Sequence, residues 1–583
     1  MRIREVELLT GLNRKAIRLY EDKGLLTVER SENDYREYNA EDVSRLRRIA
    51  VLRRAGVSLG DIQLWQNRVI SGKEMLGKRL AELRDAAGEA EDQVKLCNRL
   101  SDVIGHAYFD EESDTDPWWE SLPTAEEKEA EETGGMDPQC PLVLGLDIGT
   151  TTISAAVLEP TDRRAVAVYT VQNHYNLPAL HPWERAQDAE RIFSKVKRLL
   201  DFLLKRFSKV VAIGLTGQMH GILYVDADGR ALSPLYTWQD GRAGEGRPSA
   251  CEVILEKTGY RLSPGYGLAT HVTEAAAGRV PGGTATLCTV MDYTAARLCG
   301  VSRSIIHASN AASLGLYSIT EGCFDRDSLR KLCISPELLP AVTHDAVWVG
   351  NYNGIPVAVP IGDNQAGFLG AVTDHRHTVL ANFGTGSQVS LLTQDPASVV
   401  CDPDIEVRPF LAGEYLVSGS ALCGGRAYAV VEHFFRRYAV ACGLDDKHQY
   451  EILNRLAADG LKNGQLLPVR TTFCGTRSDP SLKGLIQGLT EENFTPEALV
   501  AGTVVGMAEE LFGMFARMPH DGITTLVVSG NAARLNPALP AALERVFGMT
   551  VSIPEYREEA AVGVALFAHI AWKKSHFHKE TIP

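Results

Sequence analysis

Residues 142–158 read LVLGLDIGTTTISAAVL, and the fold of most of the chain follows from them. Leu142 to Ile148 is an apolar run too continuous for a half-exposed strand, so it predicts a strand buried on both faces. A turn follows at Gly149, and then a second apolar run. The turn carries chemistry. Gly149 has no side chain to hold backbone N–H groups away from phosphate oxygens. Thr150, Thr151 and Thr152 add hydroxyls, and Asp147 can hold Mg2+ directly or through water. A second stretch, ANFGTGSQVSLL at 381–392, repeats the pattern around Gly384, Thr385 and Gly386. Two such hairpins, on duplicated halves, can grip one polyphosphate from both sides. From Pro141 to about Trp572, strand runs such as VVAIGLTG and TLVVSG alternate with helical periods such as AERIFSKVKRLLDFLLKRF, which is an α/β pattern.

Phosphoryl transfer from ATP needs a phosphate cradle, a metal and a base for the accepting hydroxyl. Asp363, within PIGDNQAGFLGAV at 360–372, offers the base. It stands between an apolar strand and a small-residue helix, where the helix dipole keeps a carboxylate ionised. A carboxylate at such a junction serves equally well as an N-cap. Upstream, LTGQMHG at 215–221 and YTWQDGR at 236–242 collect Gln218, His220, Trp238, Gln239, Asp240 and Arg242. An aromatic face suits sugar C–H surfaces, and amides and charges suit hydroxyls, so this cluster reads as a carbohydrate pocket.

With 583 residues the chain is long enough for three or four domains. No unbroken run of eighteen apolar residues points to a membrane span. The opening MRIREVELL has no export-signal core, so a cytoplasmic location is expected. Eleven cysteines are scattered with no CxxC pair, which predicts reduced thiols and no structural zinc. The net charge of −14 is uneven: residues 1–70 hold fourteen Lys or Arg against eleven Asp or Glu, whereas 110–135 hold eleven acids and Lys128 alone. A basic head on an acidic body fits local contact with nucleic acid.

Three segments precede the α/β body. In residues 1–70, Asn13 caps a helix from Arg14 to Asp22 that carries Ile17 and Leu19 inward. Arg14, Lys15 and Arg18 are placed on exposed turns, toward base edges and phosphates. Asn33-Asp34 predicts a hairpin turn that puts Tyr35, Arg36 and Tyr38 on a wing strand. Helical NAEDVSRLRRIAVLRRAG and SLGDIQLW complete the unit. In residues 71–108, Leu76, Leu80, Leu83, Ala87, Ala90, Val94, Cys97 and Ile104 recur three and four apart, with Ser101 in one slot, as the seam of a two-chain coiled coil. Residues 109–140 read as an acidic linker, with the pair Trp118-Trp119 in its midst.

The head, with RKAIRLYEDKGLL at 14–26 and NDYREY at 33–38, resembles the MerR family of transcription regulators. That resemblance implies an all-α winged helix-turn-helix with a dimerising coil, a homodimer, and a near-palindromic operator DNA that it distorts. It assigns DNA contact to Arg14, Lys15, Arg18, Tyr20, Tyr35 and Arg36. Metal-sensing members use cysteines just past the coil, and this chain has only Cys97 there.

The body is similar to the FGGY carbohydrate kinases in DIGTTT, TGQMHG, TWQDGR, IGDNQAG, NFGTGS and SGNAARLNP, in order across 142–572. Within that family TGQMHG, LSPLYTWQDGR and ASNAASLGLY look most like the sedoheptulokinase branch, and next like the xylulokinases. The resemblance implies two actin-like, RNase-H-type α/β domains around a cleft, at 141–373 and 374–572. It implies ATP and Mg2+ as cofactors, Asp363 as catalytic base and Asp147 as the metal-linked carboxylate. Gly384, Thr385 and Gly386 would serve the transferring phosphate, and Gly530, Asn531 and Asn536 the adenosine. Gln218, Met219, His220, Trp238, Asp240, Arg242 and Asn310 would line the pocket of a ketose. EEAAVGVALFA at 558–568 would be a small-residue closing helix, and Gly424-Gly425-Arg426 would lie on the nucleotide side. Together the two resemblances imply a DNA-binding regulator fused to a sugar kinase that senses its substrate. The rival readings are a metabolic kinase with a dimerising head and a sugar-sensing regulator without turnover.

Overall fold

The computed structural model describes residues 1, 3–10, 12–30, 36–85, 140–399, 402–477, 479 and 481–577. The turn at Asn33-Asp34, Tyr35, the coil positions past residue 85, most of the acidic segment and Trp118-Trp119 lie outside the described residues. The chain divides into two compact units: residues 1–140 with 191–209, and residues 141–190 with 210–583.

The first unit holds helices Ile3–Thr10, Arg14–Asp22, Ala40–Arg54, Leu59–Gln66 and Gly72–Asp85. Their starts are written in the sequence. The Asn13 side chain accepts the Ala16 N–H at 2.8 Å, Asn39 and Asp42 form a reciprocal capping box, and Ser58 accepts the Asp61 N–H at 3.0 Å. Each such cap is worth about 1 kcal/mol. Ile17, Tyr20, Leu46, Ile49, Ile62 and Trp65 are fully buried between these helices. Two-residue strands Glu29–Arg30 and Arg36–Glu37 pair antiparallel.

Three expectations change here. The inward face of Arg14–Asp22 is Ala16, Ile17 and Tyr20, whereas Leu19 is half-buried. Tyr20, expected on DNA, is fully buried and serves as a core aromatic. Leu76 and Leu80, the first two positions of the expected two-chain seam, are already buried within one chain. The same unit includes most of the helix Ala189–Arg206, where the Lys195 ammonium lies 2.7 Å from Glu74. Burial pushes that ammonium down in pKa while Glu74 pulls it back up.

The second unit is built on two six-stranded sheets of matched plan. In the first the order is Trp348–Tyr352, Ile355–Ala358, Val210–Gly217, Leu142–Ile148, Thr152–Glu159, Arg164–Gln172. In the second it is Ile405–Pro409, Tyr415–Ala421, Ser387–Thr393, Thr378–Phe383, Thr525–Ser529, Thr550–Ser552. Each has a hairpin at its centre, Leu142–Ile148 with Thr152–Glu159 and Thr378–Phe383 with Ser387–Thr393. In each the first hairpin strand also pairs in parallel with a later strand, Val210–Gly217 or Thr525–Ser529. Three residues join the hairpin strands: Gly149-Thr150-Thr151 in one sheet, Gly384-Thr385-Gly386 in the other. The duplication read from sequence is therefore a duplication of topology.

A separate core, including Ile222, Tyr224, Leu268, Leu287, Leu314 and Phe324, fills the insertion between Val210–Gly217 and the hairpin Trp348–Ala358. The closing helix, Glu559–Phe577, belongs in sequence to the second half but packs on the first sheet. A Cβ added to Gly145 would meet the Ala561 carbonyl at 2.0 Å, and one on Gly563 would meet the Ala366 carbonyl at 1.8 Å. Glycines at both contacts let this helix lie against strand Leu142–Ile148 and helix Asp363–Ala371 at backbone distance. The boundary drawn by sequence at 373/374 is thus crossed again by the last helix. Pro496–Phe515 is long and apolar enough to cross a membrane, but 72% of that stretch is buried. Val500, Val504, Ala508 and Leu511 from it form part of the second sheet's core.

Candidate functional site

Asp147 is the last residue but one of strand Leu142–Ile148, with Ser154 opposite it on one side and Thr216 on the other. Its carboxyl is pushed up to about 7 by burial, and secondarily by the nearby carboxylates of Asp363 and Glu558. One of its oxygens, Oδ1, is buried without a protein partner. An orphaned carboxylate oxygen among like charges is a place for a cation. Among the described residues no three His, Cys, Asp or Glu side chains converge to hold a metal alone. That fits Mg2+, which takes one or two carboxylates and completes its shell with phosphate and water.

The turn beside it is held from behind. The Asn173 amide donates to the Gly149 carbonyl at 2.7 Å, and the Gln187 amide donates to the Thr150 carbonyl at 2.8 Å. Thr151 is exposed, and Gly149, Thr150 and Thr152 are partly so. In the second hairpin Gly384 and Thr385 are exposed. Their carbonyls accept the N–H groups of Gly425 and Arg426, each at 3.0 Å, from the start of helix Gly424–Ala441. This contact needs its glycines, since a Cβ on Gly424 would meet the Gly386 carbonyl carbon at 2.3 Å. Gly530 adopts a left-handed φ of 92° against the Phe383 carbonyl. Asn531 beside it is exposed, while Asn536 is buried and accepts the Ala538 N–H at 3.0 Å.

Asp363 is the first residue of helix Asp363–Ala371, and Gly362 holds the cap position without a side-chain bond. Asp363 thus stands one residue inside the cap position, as the first helical residue. Burial raises the carboxyl to about 6, opposed by Arg408 and by the N–H groups of Asn364 and Asp363 itself. Arg408 comes from Ile405–Pro409, an edge strand of the second sheet. It is buried, pairs with Glu406, and reaches the Met219 sulfur at 3.9 Å. Arg477 lies 2.5 Å from the other oxygen of Glu406. Burial alone would raise Glu406, but Arg408 and Arg477 outweigh it and hold it at about 2.

His220 has a φ of 71°, and the Gly221 N–H bonds back to the Met219 carbonyl at 2.9 Å across it. This is a strained γ-turn. The His220 Nδ1 lies 2.7 Å from the Ser313 carbonyl, so Nδ1–H donates there and Nε2 is the acceptor nitrogen. The ring packs on Tyr266 at 4.5 Å. Burial, then Arg408, drives its pKa down to about 3, so the ring is neutral.

The other expected pocket residues divide. Trp238 is 48% exposed, and its indole N–H donates to the Thr150 hydroxyl at 3.0 Å. That hydroxyl in turn donates to Gln218 Oε1 at 3.4 Å. Residues expected on the sugar side and on the phosphate side thus share one hydrogen-bonded chain. Asp240 and Arg242 are buried and engaged with each other at 2.7 Å, and Arg242 also with Glu274 at 2.8 Å. Their polar atoms hold the Trp238 segment in place, so the structure gives them a positioning part where the sequence suggested ligand contact. Asn310 is fully buried and donates to the Pro360 carbonyl at 3.1 Å, beneath the loop that carries Asp363. Sequence reasoning missed Arg408, Glu406, Arg477, Tyr266 and Gln187. The one signal available was a charged pair, Glu406 and Arg408, alternating in a short strand of otherwise apolar residues.

In the head, Arg14, Lys15 and Arg18 are exposed on one helix. Arg14 lies 3.3 Å from Glu7 and Arg36 lies 2.6 Å from Glu21.

Comparison with known proteins gives three matches along the chain. Residues 1–68 match the MerR HTH family of regulatory proteins. Residues 142–381 match the N-terminal domain, and 379–572 the C-terminal domain, of the FGGY family of carbohydrate kinases. Sedoheptulokinase from Mus musculus is 25% identical over 472 residues, spanning 73% of this chain and 97% of the relative. A glycerol kinase from Alteromonas mediterranea is 27% identical over 461 residues, spanning 73% and 89%. Among solved structures, xylulose kinase from Rhodospirillum rubrum has a TM-score of 0.62 at 21% identity, over 74% of this chain and 90% of that one.

Proposed function

The chain is a member of the FGGY family of carbohydrate kinases by both of its α/β domains, with a MerR-type regulatory domain ahead of them, and from that premise we propose a DNA-binding regulator whose effector module phosphorylates a ketose of the sedoheptulose kind. The observation that carries the catalytic part is Asp363, half-buried at the first position of its helix and held toward the ionised form by Arg408. In this reading Asp363 takes the proton of the accepting hydroxyl as that oxygen attacks the γ-phosphorus of ATP. A base titrating near 6 is mostly ionised at pH 7 and still strong enough to accept a proton. The Gly149 and Gly384 turns hold the phosphates between them. Mg2+ linked to Asp147 would neutralise charge on the transferring group. Neutral His220 offers Nε2 to a sugar hydroxyl, and the exposed Trp238 face covers the sugar.

The regulatory part rests on the head. Exposed Arg14, Lys15 and Arg18 on one capped helix suit the major groove, with Arg36 placed for backbone phosphate. Two heads from a homodimer would span a near-palindromic operator, in the cytoplasm. The ketose assignment rests on the similarity to sedoheptulokinase and on the Gln218-Met219-His220 segment.

ATP turnover across a panel of ketoses, beside Asp363→Ala, tests the kinase. Turnover with sedoheptulose that vanishes in the variant is the expected result. Saturable sugar binding without turnover by the native chain would reduce the body to a sensor. DNase footprints of bound operator with and without sugar plus nucleotide then test coupling, because an effect of ligand on DNA affinity must be reciprocal.

A further inference from the structure

Cys423 and Cys474 lie apart in sequence and meet beside the second phosphate turn. The Cys423 thiol donates to the Cys474 sulfur at 3.6 Å, and the Arg426 guanidinium donates to the same sulfur at 3.6 Å. Cys423 is buried at the residue before helix Gly424–Ala441. Cys474 is partly exposed, on a tight turn where the Phe473 N–H bonds the Thr471 carbonyl and the Gly475 N–H bonds the Thr472 carbonyl. We propose that Cys474 and Cys423 are a peroxide-reactive dithiol, with Cys474 the attacking sulfur and Cys423 the resolving one. The asymmetry of the two environments supports that division of labour. The Arg426 hydrogen bond lowers Cys474 below the ordinary thiol range, so more of it is thiolate. Burial pushes Cys423 up to about 12, so it stays protonated.

The steps balance. The Cys474 thiolate attacks the terminal oxygen of a hydroperoxide, the O–O bond breaks, and the departing alkoxide or hydroxide takes a proton from water. Cys474 is left as the sulfenic acid. The Cys423 sulfur then attacks Cys474, the S–O bond breaks, and hydroxide leaves as water with the Cys423 proton. Two thiols have lost two electrons, and the hydroperoxide has been reduced to an alcohol and water. A dithiol reductant reverses the reaction by exchange. Closing 3.6 Å to the roughly 2.05 Å of a disulfide pulls on the residue that starts helix Gly424–Ala441. The second and third N–H groups of that helix, from Gly425 and Arg426, are those bonded to the Gly384 and Thr385 carbonyls. Oxidation therefore moves the nucleotide-side turn, a consequence that rests on the kinase reading, whereas the disulfide itself does not.

The test treats the full chain with hydrogen peroxide, blocks free thiols by alkylation and maps non-reduced peptides. A Cys423–Cys474 cross-link, lost with dithiothreitol and absent in Cys474→Ser, is expected. ATP KM should rise several-fold on oxidation with sugar KM unchanged, while Cys474→Ser keeps the reduced-state KM under peroxide. Both cysteines recovered as separate sulfenic or sulfinic acids, or as unmodified thiols while other cysteines oxidise, would overturn the pairing. A quantitative cross-link with unchanged ATP KM would overturn the link to the turn. A cross-link in a chain with no turnover on any sugar would sustain the dithiol and refute the kinase reading.

Discussion

Replacing Arg408 by Gln should move the acid limb of the pH–rate profile upward. Arg408 is the strongest influence holding Asp363 ionised against its burial, and with it the carboxyl titrates at about 6. A cation acting on a largely desolvated carboxylate is worth roughly one to two pKa units. At pH 7 the native base is then about nine-tenths ionised, and the variant's between about one-half and one-tenth. The expected loss in kcat at pH 7 is therefore about 2- to 10-fold, recovered as the pH approaches 9. The sign follows from Asp363 acting as a base. Raising its pKa widens the range in which it is protonated and inactive, so activity falls on the acidic side alone. The assay is initial rate against pH at saturating sugar and Mg-ATP, which keeps Asp147 metal-bound and out of the titration. Arg408→Lys, which keeps the charge, should leave the limb within a few tenths of a unit. A loss in Arg408→Gln that is the same at pH 6 and pH 9 would refute the reasoning, because it would make Arg408 a scaffold for Glu406 and Met219 and nothing more.

Asp147→Asn should raise the Mg2+ concentration needed for half-maximal turnover by about tenfold or more, while calorimetry shows sugar binding unchanged. An unaltered Mg2+ requirement would remove Asp147 from the metal's surroundings. Gly424→Ala puts a Cβ 2.3 Å from the Gly386 carbonyl carbon, an overpacking that costs about 1–3 kcal/mol. It should lower the thermal midpoint and raise ATP KM, whereas a KM unchanged at full stability would detach that helix from the nucleotide. Arg18→Ala should weaken operator binding and reduce the slope of log K against log salt by about one. An unchanged slope would mean that this side chain meets no phosphate.

Residues with strong local consequences were legible in the sequence. A long apolar run, a Gly-Thr turn and a second run specify a buried hairpin, and both turns stand where the pattern put them. Asn13 and Asn39 cap helices because short polar side chains reach the first free N–H groups, a purely local matter. Asp363 was legible as a candidate, but not that Gly362 takes the cap position and leaves Asp363 as the first helical residue. What sequence could not supply is which side chains meet from afar. Arg408, Arg477 and Tyr266 lie at scattered positions with no shared motif, and only the fold collects them around Glu406 and His220. Helical periodicity showed that Leu76 and Leu80 face something apolar, yet could not say whether the cover is a second chain or the same one. Asp240 and Arg242 illustrate the converse: two charges near a turn read alike whether they face a ligand or each other.

The most consequential of these unforeseen residues is Arg408, because one cation biases the charge state of three neighbours. It favours the ionised form of Asp363, the ionised form of Glu406 and the neutral form of His220. For Asp363 and His220 these are the forms that the proposed roles of base and hydroxyl acceptor call for. Asp363 and His220 are carried by the half of the fold that holds the first sheet, whereas Arg408 is a strand residue of the second. The strength of the base is thus conditional on the two sheets being together. Separating them would remove Arg408 from Asp363. With less help against burial, the carboxyl would be protonated over a wider range. Under the proposed reading, the base is at full strength only while a residue of the second sheet contributes to the site built on the first.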